Sequence, residues 1–138
     1  MKIYYCGSIR GGRDKAELYR MGIAVCKEYG TVLTEHIGSP ALTKYGGDGT
    51  DAEIYARDTA WLRECDIVIA DCSVASLGVG YEIGMAEALG KPVHILYSGE
   101  RLRLSAMLAG NSGFAVHLYE NEEEMTDVLR GILESFPE

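Results

Sequence analysis

The feature that most constrains this chain is a repeated change of period. Short runs rich in β-branched and aromatic residues alternate with segments whose apolar residues recur every three to four positions. The sharpest run is DIVIAD, Asp66 to Asp71, apolar almost throughout, as a strand covered on both faces must be. Lys2 to Cys6, Thr31 to Thr34, Val93 to Tyr97 and Ala115 to Tyr119 read as further strands. Between them lie helical patterns: a stripe of Leu18, Met21, Val25 and Tyr29 ended by Gly30, a second over Asp51 to Cys65, and a third over Val79 to Leu89 closed by Gly90-Lys91-Pro92. The last opens with Asn121-x-x-Glu124 and carries Met125, Val128, Leu129 and Ile132 on one face. Strand and helix in this repetition build a parallel sheet with helices on both faces. The expectation is an α/β doubly wound fold with a five-stranded parallel sheet, in one domain over 1–138, with 47% hydrophobic residues to fill its core. His36 to Thr50, HIGSPALTKYGGDGT, reads as a loop too long for a simple connector.

A net charge of −8 counts against a DNA, RNA or other polyanionic partner, while one phosphate needs only one or two local arginines. Cys6, Cys26, Cys65 and Cys72 form no C-x-x-C pair, and His36, His94 and His117 show no metal-ligand spacing with them, so they read as reduced core thiols with no metal site. The start MKIYYCG has no charged leader with an apolar stretch, and no apolar run approaches the roughly 20 residues of a membrane span. A cytoplasmic location is expected.

Doubly wound sheets bind ligands outside the carboxyl ends of their strands. The segments to search are therefore Gly7 to Arg13, Glu35-His36, Cys72 to Gly80 and Ser98 to Gly110. GSIRGGR puts Gly7, Gly11 and Gly12 with Arg10 and Arg13 in the first strand-to-helix turn, around Ser8 and Ile9. Glycines let backbone N–H groups turn toward an anion, and a following helix N-terminus adds favourable partial charge. Arg13-Asp14 replaces the Lys-Ser/Thr of a P-loop, so a monophosphate fits better than a triphosphate.

Glu82 is expected in the first turn of a helix after the loop SVASLG, where the positive helix end favours its carboxylate, and it shares a face with Met85, Ala86 and Leu89. Asp58 interrupts the stripe Ile54, Trp61, Leu62 and Cys65, a position that would bury it. Two convergent carboxylates are the minimum equipment for cleaving a glycosidic bond. Tyr4 beside the phosphate turn can orient a carboxylate or pack on a sugar, Ser76 and Ser105 offer hydroxyls after their strands, and His36 can line the pocket. The plainer alternatives are solvated arginines on a tight turn, a Glu82 that satisfies a helix end, and a structural Asp58 bonded to a backbone or an arginine.

Taken in order, YYCGSIRGGRD, VLTEH, RDTAWLRECDIVIAD, SLGVGYEIGMA, GKPVHILY and LSAML strongly resemble the 2'-deoxynucleoside 5'-phosphate N-hydrolases of the nucleoside 2-deoxyribosyltransferase superfamily. The resemblance implies a flavodoxin-like fold, a homodimer, and no cofactor or metal. It makes Glu82 the nucleophile that attacks C1', Asp58 the group that assists protonation of the departing base, and Tyr4 the residue that orients Glu82 and the sugar. It implies that residues Gly7, Ser8, Ile9, Arg10, Gly11, Gly12 and Arg13, with Ser76 and Gly78, cradle a nucleoside monophosphate. Ser105, Ala106 and Met107 would reach in from the partner subunit toward the 5'-phosphate. Two readings compete with this one: a nucleoside 2-deoxyribosyltransferase, which would have no phosphate for Arg10, Arg13 and Ser105 to bind, and a non-catalytic nucleotide sensor, which would not need both Glu82 and Asp58.

Overall fold

A computed structural model describes residues 1–8, 16–38, 49–99 and 103–137. Among them, β1 (Lys2–Cys6), β2 (Thr31–Val32), β3 (Ile67–Asp71), β4 (Val93–Tyr97) and β5 (Ala115–Leu118) form a sheet in the order β2-β1-β3-β4-β5, with every neighbouring pair parallel. The helices are α1 (Ala16–Lys27), α2 (Asp51–Glu64), α3 (Leu77–Ala88), α4 (Ala106–Ala109) and α5 (Glu122–Ser135), and a 3-10 turn covers Glu35–Gly38. The expected doubly wound sheet is present, in its flavodoxin-like strand order.

The period-2 alternation of the strands divides the core in two. Ile3, Tyr5, Ile67 and Ile69 pack with Tyr19, Ile23 and Cys26 of α1 and Met125, Leu129 and Ile132 of α5. Tyr4, Cys6, Val68 and Ala70 face the other way, against Leu62 of α2 and Val79, Ile83 and Ala86 of α3. All five residues of β3 are buried, so DIVIAD has no polar face to alternate with.

Several boundaries differ from the sequence reading, each for a local reason. Backbone pairing of β2 stops early, because the Thr34 hydroxyl takes over: it accepts from Tyr5 N at 2.8 Å and donates to Tyr5 O at 2.7 Å. The buried face of α1 centres on Tyr19, Ile23 and Cys26, with Leu18, Met21 and Tyr29 packed at its edge. Ser76 caps α3, its hydroxyl accepting from Val79 N at 3.2 Å, so that helix begins at Leu77 rather than Val79. Leu89 is the C-terminal cap of the same helix and is exposed, not on its buried face. The short helix α4, capped by Ser105, was not anticipated. Thr50 and Glu53 form a capping box at α2, and Asn121 caps α5 through Glu124 N at 2.9 Å. No helix among the described residues is long and apolar enough to cross a membrane.

Strands β1 and β3 are neighbours, with Cys6 opposite Ala70. From their carboxyl ends the chain departs to helices on opposite faces of the sheet, which opens a crevice at this switch point.

Candidate active site

The crevice widens into a cavity of about 1210 Å³. Gly7, His36, Asp58, Ser76, Gly78, Glu82, Ser105 and Met107 all line it, so residues named from five separate stretches of sequence share one space. Ser8 is fully buried and Ala106 is exposed, and neither is on the wall. Ile9, Arg10, Gly11, Gly12 and Arg13 lie outside the described residues.

Glu82 is the sixth residue of α3, in its second turn, so the helix end exerts less on it than a first-turn position implies. Its carboxyl group is pushed up to about 7, chiefly by burial. The nearby charge of Asp58 adds to the rise, and a hydrogen bond from Tyr4 opposes it. This reverses the expectation of a carboxylate favoured by the helix terminus: desolvation outweighs the dipole. Tyr4, fully buried on β1, donates its phenol proton to Glu82 Oε2. Burial and then the charge of Glu82 raise the Tyr4 phenol far above its ordinary range, so it remains a donor. The Cys6 thiol also lies against Glu82, and burial holds it protonated.

Asp58 is not the buried carboxylate that its stripe implied. Its side chain is 23% exposed and accepts from Arg57 Nε at 2.9 Å. The turn of α2 that faces the cavity explains this: Leu62 points into the core, while Ile54 and Asp58 border the open space.

The turn after β1 is shaped by α1. A Cβ at Gly7 would lie 2.8 Å from the Tyr19 ring, so a larger residue there displaces either the ring or the turn. The Tyr19 hydroxyl accepts from Ser8 N at 3.1 Å and fixes the backbone as it leaves the sheet.

Sequence reasoning missed several groups. Arg57, Arg103, Cys72 and Tyr97 also line the cavity. Behind the wall formed by residues 72–76, the buried Asp71 accepts from Ser73 N at 2.9 Å and from the Tyr119 hydroxyl at 2.8 Å. Ser73 Oγ lies 3.2 Å from the same phenol and accepts from Ser98 N at 2.8 Å. The one available signal was an aspartate ending an otherwise apolar strand. Among the described residues, no three His, Cys, Asp or Glu side chains converge where they could hold a metal ion. At the cavity rim Leu77 is 97% and Met107 82% exposed, and the exposed Tyr55 and Tyr81 bring their hydroxyls to 3.5 Å.

Comparison with known proteins adds three findings. Residues 3–129 match the family model described as nucleoside 2-deoxyribosyltransferase. The chain is 44% identical to a 5-hydroxymethyl-dUMP N-hydrolase of Mus musculus over 97% of its length and 80% of the relative's, and 44% identical to one from Tetraodon nigroviridis over 99% and 96%. Among solved structures, a CMP N-glycosidase of Clostridium botulinum superposes with a TM-score of 0.69 over 96% of this chain and 99% of that one, at 19% identity, which is a likeness of fold.

Proposed function

Because this chain belongs to the nucleoside 2-deoxyribosyltransferase family, we propose that it is a nucleotide N-hydrolase. It cleaves the N-glycosidic bond of 2'-deoxynucleoside 5'-monophosphates to give a free base and 2-deoxyribose 5-phosphate. The relatives named as N-hydrolases support the reaction class. The observation that carries the mechanism is the buried phenol of Tyr4 on Glu82 Oε2, at the wall of a cavity that Asp58 also lines.

With Oε2 held by Tyr4, Oε1 of ionised Glu82 attacks C1'. The C1'–N bond breaks, its electron pair goes to the base, and a proton that Asp58 helps to deliver from water neutralises the base as it departs. Water then attacks C1' of the glycosyl-enzyme, loses a proton past Asp58 that balances the one the base took up, and frees Glu82, so both carboxyl groups return to their starting states. A 2-deoxy sugar lacks the 2'-hydroxyl that destabilises positive character at C1', which makes a placed carboxylate and leaving-group protonation sufficient.

The phosphate is assigned to residues 7–13, with Ser105, Ala106 and Met107 reaching across from a second copy. The exposed apolar rim of Leu77 and Met107 supports a homodimer, since such a surface is better covered than solvated. We read the chain as one domain of a cytoplasmic enzyme.

The test is incubation with deoxyribo- and ribonucleoside monophosphates and with free nucleosides, following free base by chromatography. Release from deoxynucleoside monophosphates without any second base is the expected result. Transfer of deoxyribose to an added base, with free nucleosides as good as their monophosphates, would favour the transferase instead.

A further inference from the structure

Arg57 takes no part in that mechanism, yet its guanidinium is tied to three neighbours at the cavity wall. Adjacent residues on a helix diverge by about 100°, but Arg57 turns back so that Nε donates to Asp58 Oδ1 at 2.9 Å. Two contacts hold it there. Its guanidinium carbon lies 5.0 Å from the centre of the Trp61 ring, one helical turn on, and one Nη2 proton points to His36 Nε2 at 3.2 Å. Trp61 also sits 5.8 Å from the His36 ring, tilted by 40°. A guanidinium only donates, so His36 Nε2 must accept and its ring proton belongs on Nδ1. Arg57 thus joins Asp58 and His36 into one unit on the cavity wall.

We propose that Arg57 is a specificity-determining residue that reads a carbonyl oxygen of the departing base. This rests on the N-hydrolase reading, in which Asp58 stands at the base. Of the five guanidinium N–H groups, one goes to Asp58 and one to His36, leaving three in a plane fixed from two sides. That edge accepts nothing and repels another donor, so it suits a base that presents an acceptor. As C1'–N breaks, the electron pair entering the base spreads onto a conjugated carbonyl, and a hydrogen bond from Arg57 strengthens as that charge grows. The preferred substrates are therefore nucleotides of oxo bases, the pyrimidines and 6-oxopurines. Adenine, which has no carbonyl and presents an amino donor beside its ring-nitrogen acceptors, is the disfavoured base.

The experiment compares dTMP, dGMP and dAMP with the wild-type chain, Arg57→Ala and Arg57→Lys, reading released base. Wild type should favour dTMP and dGMP over dAMP by at least about tenfold in kcat/KM. Arg57→Ala should lower kcat/KM for the two oxo bases by about 10–100-fold, mostly in kcat, and that for dAMP by less than about threefold. Arg57→Lys keeps the charge without the planar fork and should fall between, which preserves the comparison if the alanine variant folds poorly. Base release by wild type with a base ratio unchanged in both variants overturns the inference alone. No base from any monophosphate overturns the N-hydrolase reading, and this inference with it.

Discussion

The Tyr4 phenol and the Glu82 carboxylate, on β1 and α3 and 78 positions apart, meet through a hydrogen bond to Oε2 that opposes the effect of burial on Glu82. The contact gives Tyr4 two effects: it occupies one carboxyl oxygen of Glu82 and leaves the other open, and it opposes the rise that burial imposes on the carboxyl. Tyr4→Phe removes the donor without emptying the space, so the Glu82 carboxyl should rise further above about 7. The acid limb of the kcat/KM profile should move up by roughly one pH unit, with about a fivefold loss at about pH 7 and about tenfold well below it. An unmoved limb in a pH–rate series would show that Tyr4 only packs.

Glu82→Gln should abolish base release while leaving nucleotide binding within a few-fold of wild type. Its stability should move the other way. A carboxyl raised to about 7 in the folded chain, against 4.5 unfolded, binds its proton more tightly when folded. Both states are protonated below 4.5, so no stability is at stake there. As pH rises from 4.5 to 7 the unfolded chain ionises first, and wild type loses stability until both states are ionised. The neutral glutamine escapes that loss. The variant should gain up to about 3 kcal/mol over wild type at pH 8 relative to pH 4, as denaturant melts at the two pH values would read.

Removing the phosphate should cost both binding and rate, since remote binding energy positions the reacting bond. Two or three charge-assisted hydrogen bonds at roughly 1.5–3 kcal/mol each imply at least about a hundredfold lower kcat/KM for deoxynucleosides. Arg10→Ala and Arg13→Ala should narrow that gap by slowing the monophosphate more than the nucleoside. Equal rates for both substrates would remove the phosphate role from residues 7–13.

Tyr119→Phe leaves the buried Asp71 carboxylate without its 2.8 Å donor and Ser73 Oγ without a neighbour at 3.2 Å. The cost should be about 1–3 kcal/mol in urea unfolding. Because residues 72–76 form the cavity wall, KM should rise as well.

If the apolar rim is an interface, sedimentation at micromolar concentration should show a dimer, and Leu77→Asp should yield monomer. Mixing Glu82→Gln with a variant defective at Ser105 should restore part of the activity only if one site draws residues from two chains.

The strands, the parallel sheet and its core were legible because they follow from periodicity, whereas the flavodoxin-like arrangement was implied only by the family resemblance. DIVIAD has a single solution, a central strand covered on both sides, and β3 is that strand. Glu82 and Asp58 were legible as carboxylates in unexpected places, but their environments were not. Whether burial or a helix terminus governs Glu82 depends on where α3 starts, and that is settled by the Ser76 cap. Asp58 looked buried because its stripe was read as facing a core, when one end of that stripe borders a cavity. Arg57 was visible only as the first residue of RDTAWLRECDIVIAD, since its contact with His36 depends on the 3-10 turn lying beside α2.

The placement of β1 between β2 and β3 bears on how the chain assembles during synthesis. β1 precedes both strands it pairs with: residues 31–32 can cover one of its edges, and the other stays open until residues 67–71 arrive. Glu82 follows only on α3, later still. A partly made chain therefore has Tyr4 without its partner Glu82, and exposes the apolar residues of β1 meanwhile. Conditions that slow elongation between β1 and α3 should lower the yield of folded protein before they alter the activity of each folded molecule.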